Sequence, residues 1–187
     1  MYAGTEKRPQ TEQGNGFMFK AWRRKREIRS AFSRFLTQDQ VDAVAQTPAK
    51  LDFTHSTAWL HCLLIQVRDD TPDDTQRNIT HIVPICLNND GVIFDLMASI
   101  QLVGFGKLFR SNKTQEEHRH NGLNASNEIL KTLGSNTRIV SFSGEIPYGN
   151  FGEDRRFAFT IGPPKFDRFM AALLETEWGR ISDVPPF

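Results

Sequence analysis

The sequence has few cysteines and no long apolar run, and both shortages exclude classes of protein. Its 187 residues include only two cysteines, Cys62 and Cys86, too few for the disulfide framework that holds many small secreted domains. No stretch approaches the roughly 18 apolar residues of a membrane-spanning helix. Residues 1–16 lack the apolar segment of a secretory signal. We therefore predict reduced, buried cysteines in an intracellular protein of the cytoplasm or nucleus.

The sequence also lacks a recognisable catalytic or metal-binding pattern. Among its five histidines, only His118 and His120 lie close together, and no cysteine is near them. His61 and Cys62 are neighbours on a predicted strand and point to opposite faces, which disfavours a shared metal. The glycines and lysine of segment 104–107 lack the spacing of a phosphate-binding P-loop. We predict no catalytic residue, no metal site and no cofactor, with an unfamiliar hydrolase or transferase as the enzymatic alternative.

The sequence does contain an uneven distribution of charge along the chain, although its net charge is only +1. Residues 1–37 carry nine basic and three acidic side chains, whereas the other 150 residues carry 14 basic and 19 acidic ones. A basic arm on an acidic body is typical of a protein whose arm binds nucleic acid or an anionic lipid surface. A solvated tail without a partner is the alternative.

The basic arm has two parts. Residues 1–16 are polar and predict a disordered segment. Residues 17–50 predict a basic amphipathic helix, then a short helix that begins at a capping box formed by Thr37 and Gln40. Such a basic helix can lie on an anionic bilayer, track phosphates, or pack on the body with its charges in water. The residues that we predict to contact an anionic partner are Lys20, Trp22, Arg23, Arg24, Lys25, Arg26, Arg29 and Arg34.

The rest of the chain predicts a folded body, residues 51–179, followed by a tail, residues 180–187. Apolar residues on both faces of Trp59–Val67 predict a central strand.

Two further apolar runs predict a β-hairpin, because the Asn-Asn-Asp-Gly segment between them suits a tight turn. The runs are Ile79–Leu87 and Val92–Val103. Pro84 lacks a backbone donor, so we expect the first of these strands to be an edge strand or to contain a bulge. The second run is also compatible with a helix over Asp95–Val103.

The second half of the body predicts more strands and two helices. Residues 104–124 resemble a loop, and Ser126 begins a short helix. Arg138–Ile146 and Arg156–Ile161 predict strands joined by a turn, and the apolar spacing of Phe166–Trp178 predicts a closing helix. The elements together predict an α+β fold, a mostly antiparallel sheet of about five strands with N-terminal, internal and C-terminal helices.

This order of elements, from a flexible basic region through strand, hairpin and late strands to a closing helix, resembles the matrix proteins of rhabdoviruses. The resemblance implies a non-enzymatic viral structural protein of the virion that is membrane-associated and RNA-binding, self-associates, and bridges nucleocapsid and membrane. The PPxY motif of that family's tail is absent here, and no site residue is inferred from the resemblance. The alternative function is a sequence-tolerant nucleic-acid-binding accessory or regulatory protein.

Overall fold

A central β-sheet organises the chain. The computed structural model describes residue 26 and residues 36–46, 56–69, 71–97, 99–108, 112–153, 156–161 and 165–185. The helices and strands with described bounds are, in chain order, α1 (Gln38–Gln46), β1 (Ser56–Val67), α2 (Pro72–Asn88), β2 (Val92–Met97), β3 (Ile100–Gly106), α3 (Gln115–Leu133), β4 (Thr137–Glu153), β5 (Arg156–Ile161), α4 (Lys165–Glu175) and β6 (Ile181–Val184). A 3₁₀ turn, Gly134–Asn136, joins α3 to β4.

Four strands form the centre of the sheet in the antiparallel order β2-β3-β1-β4. Cys62 of β1 lies opposite Gly104 of β3 on one side and Phe142 of β4 on the other. β5 pairs antiparallel with the second part of β4, and β6 pairs parallel with the first part. The succession β1-α2-β2-β3-α3-β4 is a split βαβ arrangement. The predicted α+β fold with a mostly antiparallel sheet is confirmed, and the described part of the chain contributes six strands to the sheet.

Two apolar clusters lie on opposite faces of the sheet, and alternate residues of β1 contribute to each. The cluster between the sheet and α4 includes Leu60, Cys62, Leu64, Phe142, Phe169 and Leu173. The cluster between the sheet and helices α2 and α3 includes Leu63, Ile65, Ile82, Val103, Ile129 and Ile139. The prediction that β1 is central and apolar on both faces is therefore confirmed.

The predicted hairpin is wrong, because Ile79–Leu87 belongs to helix α2. Pro84 lies inside this helix and is exposed, although an interior proline costs a helix about 3 kcal/mol or more. The Asn-Asn-Asp-Gly segment ends α2, with Asp90 at a φ of 61°. Burial of one helical stripe outweighs the cost of the proline, and the buried residues of α2 are Asn78, Ile82, Ile85 and Cys86.

Other element bounds also differ from the predicted ones. The run Val92–Val103 divides into two paired strands, β2 and β3, so the alternative helix over Asp95–Val103 is wrong. β4 continues to Glu153 through the predicted turn. Residues 181–184 of the predicted tail form β6 and lie in the sheet beside β4.

Helix α3 begins inside the predicted loop 104–124. The Thr114 hydroxyl accepts from the Glu117 N–H at 3.2 Å, and the Glu117 carboxylate accepts from the Thr114 N–H at 2.6 Å. This capping box satisfies two backbone donors of the first turn and explains the early start. Ser126, predicted as a cap, lies within α3 and donates to the Leu123 carbonyl at 2.9 Å.

The short helix and the closing helix are confirmed. The Thr37 N–H donates to the Gln40 side chain at 2.9 Å, and the Gln40 N–H donates to the Thr37 hydroxyl at 3.4 Å, so α1 has the predicted capping box. α4 ends at Glu175, before Trp178, because a turn redirects the chain toward β6.

Candidate functional site

A polar cavity of about 330 Å³ opens where β1 ends and β4 begins. The start of α2 and the end of α3 supply most of its wall. The lining residues are Arg68, Asp74, Arg77, Asn78, Leu133 and Asn136. Five of these six residues are polar or charged, so the cavity suits a polar ligand, in contrast to the mainly apolar pockets that hold most small molecules.

Backbone hydrogen bonds fix the rim of the cavity. The Arg68 N–H donates to the Asn136 carbonyl at 2.8 Å and ties the end of β1 to the 3₁₀ turn before β4. Thr71 caps α2, because its hydroxyl accepts from the Asp74 N–H at 3.2 Å. Pro72 follows in the first helical turn, where the missing N–H costs no hydrogen bond.

Asp69 is bound by two side chains of α2. Its carboxylate accepts from the Asn78 amide at 2.7 Å and from the Thr75 hydroxyl at 3.0 Å. The Asn78 side chain is buried, and a buried amide is costly unless it is hydrogen-bonded. The hydrogen bonds of Asp69 therefore fix the loop after β1 to the first turns of α2.

Arg77 donates a hydrogen bond to Asp74, one helical turn earlier. Their side chains are 65% and 25% exposed. An exposed ion pair of this kind contributes about 0–1 kcal/mol, so exchanging Asp74 for another anion costs little. The Arg77 guanidinium is thus accessible to a negatively charged ligand.

Trp178 contacts Arg68, the second arginine that lines the cavity. The guanidinium carbons of Arg68 and Arg138 lie 4.4 and 4.6 Å from the centre of the Trp178 ring. Both distances are within the cation–π range of about 6 Å. A turn brings the indole to this place, with Gly179 at a φ of 80° and its N–H donating to the Thr137 carbonyl at 2.7 Å.

Arg138 of β4 makes hydrogen bonds to β1, to α4 and to the turn that follows α4. Its Nε donates to Gln66 Oε1 at 2.8 Å, and its Nη1 donates to the carbonyls of Leu174 and Thr176 at 3.0 and 3.3 Å. Burial, and secondarily the charge of Arg68, lower the pKa of Arg138. A guanidinium nevertheless keeps its charge at neutral pH, so Arg138 holds the end of α4 against the sheet as a cation.

His61 of β1 is buried. Its Nδ1 lies 2.8 Å from the Ser143 hydroxyl, and its buried Nε2 has no hydrogen-bond partner among the residues that the structure describes. Burial lowers the pKa of His61 to about 4, so its imidazole is neutral at pH 7. A neutral ring within the apolar interior has no access to substrate.

The two cysteines are free and buried, which confirms the prediction. Burial raises the pKa of both thiols, to about 12 for Cys86, so neither supplies a thiolate nucleophile. His118 and His120 lie on α3, and burial lowers the pKa of His118. Within the described ranges, no group of three or more His, Cys, Asp or Glu side chains could hold a metal ion.

The glycines of segment 104–107 have a packing role. A Cβ at Gly104 would lie 2.3 Å from the Phe94 ring, and one at Gly106 would lie 2.4 Å from the Leu60 side chain. Both glycines are in β3, so they let neighbouring side chains approach the strand and form no phosphate loop.

Of the predicted anion-contacting residues, the structure describes Arg26 alone, which is helical and exposed. Their role in binding an anionic partner stays a prediction. No helix among the described residues is long and apolar enough to cross a membrane. The predicted contacts outside the described residues are Lys20, Trp22, Arg23, Arg24, Lys25, Arg29 and Arg34.

No protein-family model and no curated protein matches this sequence, but solved structures do. The adenylyl cyclase CyaB from P. aeruginosa is 16% identical, with a TM-score of 0.53 over 68% of this chain and 77% of that one. A bacterial light-regulated adenylyl cyclase is 11% identical, with a TM-score of 0.60 over 89% of this chain and 53% of that one. The guanylate cyclase domain of RhGC from Catenaria anguillulae, in complex with GTP, is 10% identical, with a TM-score of 0.54 over 67% and 78%.

Two structures of the RhoGC guanylyl cyclase domain from Blastocladiella emersonii also match. One is described as dimeric and is 11% identical, with a TM-score of 0.55 over 68% of this chain and 79% of that one. The other is described as monomeric and is 9% identical, with a TM-score of 0.53 over 68% and 81%. At these identities the likeness shows the fold, which is that of adenylyl and guanylyl cyclase domains.

These structures correct the function predicted from the sequence. The resemblance to rhabdovirus matrix proteins is wrong, because solved structures that share this fold are adenylyl and guanylyl cyclases. The predicted non-enzymatic virion protein and the nucleic-acid-binding alternative are likewise unsupported, as are membrane and nucleic-acid partners. The prediction that the chain is not an enzyme is also corrected, since these neighbours are enzymes. The intracellular location stays a prediction.

Proposed function

We propose that this chain is a nucleotide cyclase domain that binds ATP or GTP and converts it to the cyclic monophosphate. The proposal is carried by one observation, the fold that it shares with adenylyl and guanylyl cyclase domains. One of these domains was solved with GTP and another with ATPαS. The polar cavity at the end of β1 supports the proposal, because a nucleoside triphosphate carries several negative charges.

In the proposed reaction, the ribose 3′-hydroxyl attacks the α-phosphorus of the triphosphate. A new P–O bond closes the ring, the bond to the β-phosphate oxygen breaks, and pyrophosphate leaves with the electron pair. The hydroxyl proton passes to solvent or to a protein base. Catalysis of such a phosphoryl transfer depends mainly on positioning and on stabilising the charge of the leaving group. The arginines and side-chain amides that line the cavity are groups of the kind that this chemistry requires.

The test combines binding with product analysis. Calorimetric titration with ATP, GTP and, as a pyrimidine control, CTP should give saturable binding of at least one purine nucleotide. Mass spectrometry should then detect the matching cyclic monophosphate and pyrophosphate. Absence of purine nucleotide binding at millimolar concentration would overturn the proposal. Binding without any cyclic product would overturn its catalytic part and leave a nucleotide-binding domain.

We further propose that the protein self-associates. The support is the dimeric state described for one cyclase domain of the same fold, whereas the same domain is also described as monomeric. Sedimentation velocity over a hundredfold range of protein concentration should show a concentration-dependent dimer. A single monomeric species throughout that range contradicts self-association without affecting nucleotide binding.

A further inference from the structure

We infer that the cavity between α2 and α3 binds the phosphate groups of a polyphosphate ligand, with Arg68 and Arg77 as its cationic contacts. This assignment deepens the proposed function and rests on it for the nucleoside part of the ligand. The phosphate chemistry itself is testable with a ligand that has no nucleoside.

The size and lining of the cavity favour phosphate over a purine ring. Its volume of about 330 Å³ is near the lower end of the roughly 300–1,000 Å³ of ligand pockets. Among the described residues, Leu133 is the single apolar residue of the lining, so a flat apolar ring would find little surface to contact. A compact, strongly hydrogen-bonding group fits this environment better.

The geometry of Arg68 leaves its donors available to such a group. The guanidinium lies over the Trp178 ring, 4.4 Å from its centre. A guanidinium that stacks on an aromatic ring uses its face, whereas its N–H donors lie in its plane and match phosphate oxygens in pairs. Arg68 can therefore keep its contact with Trp178 and bind phosphate.

The charges of the lining predict which anions bind. Two guanidiniums, those of Arg68 and Arg77, face one carboxylate, that of Asp74, which leaves the lining with a net positive charge. The nearby Asp69 carboxylate is outside the lining, and its two oxygens accept hydrogen bonds from Asn78 and Thr75 of α2. A multiply charged polyphosphate gains more from this arrangement than a single phosphate, so we expect pyrophosphate to bind more tightly than inorganic phosphate.

Trp178 acts as a positioning residue for Arg68. The indole also contacts the Arg138 guanidinium, and the turn that carries it is fixed by the hydrogen bond from the Gly179 N–H to the Thr137 carbonyl. A long arginine side chain otherwise loses much conformational freedom when it binds a ligand. Because the ring limits that freedom beforehand, the cost of binding falls, and affinity depends on an aromatic ring at this position.

The experiment is calorimetric titration of the whole chain with pyrophosphate and with inorganic phosphate. We expect Arg68→Ala and Arg77→Ala to weaken pyrophosphate binding about tenfold each, since each removes a charge-assisted contact. Arg119→Ala is the matched control, because Arg119 pairs with Glu116 on α3 at the same helical spacing as Arg77 with Asp74. The control variant should bind like the wild type.

Two variants of Trp178 test the positioning role. Trp178→Phe retains a ring and should keep affinity within about twofold, whereas Trp178→Ala should lose several-fold while retaining the wild-type circular dichroism spectrum. Equal affinities of both variants would overturn the role of Trp178. If Trp178→Ala does not fold, Trp178→Leu supplies an apolar side chain without a ring.

The outcomes separate this inference from the proposed function. Pyrophosphate binding that survives both arginine substitutions, or that falls equally in Arg119→Ala, overturns the cavity as the phosphate site. Nucleotide binding by those same variants would leave the proposed function intact. Conversely, arginine-dependent pyrophosphate binding without any binding of ATP or GTP supports the phosphate site and overturns the nucleotide proposal.

Discussion

Gly122 of α3 lies against the imidazole of His61. A Cβ built at Gly122 would be 2.1 Å from Cδ2 and 2.8 Å from Nε2 of His61, and 3.1 Å from the Phe105 ring. His61 is 1% exposed and its Nδ1 bonds to Ser143, so the ring has little room to move. The glycine is thus the residue that lets α3 pack closely on β1.

We expect Gly122→Ala to destabilise the protein by about 1–3 kcal/mol, because it overpacks this contact. The direction of this change in stability is informative, since a glycine-to-alanine substitution within a helix ordinarily stabilises a protein by about 1 kcal/mol. The double variant with His61→Ala should recover part of the loss, which urea denaturation of all four proteins measures as a coupling energy. A more stable Gly122→Ala protein would contradict the packing.

His61 also predicts a loss of stability in acid. Its pKa is about 4 in the folded protein, because burial outweighs the raising effect of Asp183 and adds to the lowering effect of Arg119, against 6.5 for an ordinary histidine. The unfolded chain therefore binds a proton between these values while the folded one does not, and stability falls as pH falls from 6.5 to 4. Below pH 4 the free energy of unfolding is lower by about 3 kcal/mol because of this one histidine.

The measurement is urea denaturation between pH 7 and pH 4, with His61→Asn as the control. The asparagine amide keeps a partner for Ser143 and does not titrate in this range. The difference between wild type and variant should therefore narrow or reverse as pH falls. A constant difference across the range contradicts a lowered histidine pKa.

The residues of the candidate site could not be identified from the sequence. Arg68 and Arg77 flank an acidic segment that is typical of a solvated loop, and Asn136 is far away in the chain. Only the pairing of β1 with β4 brings Asn136 to Arg68. The sequence signal available was a capped, proline-started helix directly after a buried strand, a common place for anions to bind.

Among the elements, α2 shows where local patterns mislead. The apolar run and the turn-forming segment after it both favour a hairpin, and these local features decided the prediction. Pro84 was compatible with it only in an edge or bulged strand. The buried stripe of α2 has a spacing of three and four residues, which is helical, and its packing against α3 outweighs the proline. Strand β1 was predictable because it pairs with a strand on each side and is buried on both faces, and a strand in that position is apolar at nearly every residue.

Helix α4 offers a direct comparison of two adjacent leucines. Leu173 is fully buried in the cluster beneath the sheet, whereas Leu174 is 64% exposed. We expect Leu173→Ala to cost about 2–5 kcal/mol, and Leu174→Ala to stay within about 0.5 kcal/mol of the wild type. Thermal and urea denaturation of the two variants measure the difference. Similar losses of stability in both variants would contradict this packing of α4 on the sheet.

At the scale of the whole molecule, β1 belongs to both apolar clusters and pairs with β3 and β4 along its length. Loss of β1 would therefore open both faces of the sheet together. We expect its amides to exchange with deuterium most slowly, at the rate set by global unfolding, and those of β2, at the end of the strand order, to exchange faster. Mass spectrometry of peptides covering Ser56–Val67 and Val92–Met97 tests this ordering. Equal protection of the two strands contradicts it.

The class of fold was predictable, but its topology and function were not. The same order of strands and helices along a chain is compatible with many sheet topologies, because the order does not determine which strands pair. The parallel pairing of β6 with β4 joins residues with no shared local pattern, such as Ile181 and Ile139. The resemblance to matrix proteins used only the order of elements, and a fold in any case does not determine a function.

The long separation between β1 and β4 has a consequence during synthesis. Val67 and its partner Thr137 are about 70 residues apart, which corresponds to roughly 4–14 s at a translation rate of about 5–20 residues per second. During those seconds β1, with apolar residues on both faces, lacks the strand that covers one of its edges, and such an edge can pair with another chain. The yield of soluble protein therefore depends on how many unfinished chains meet on neighbouring ribosomes.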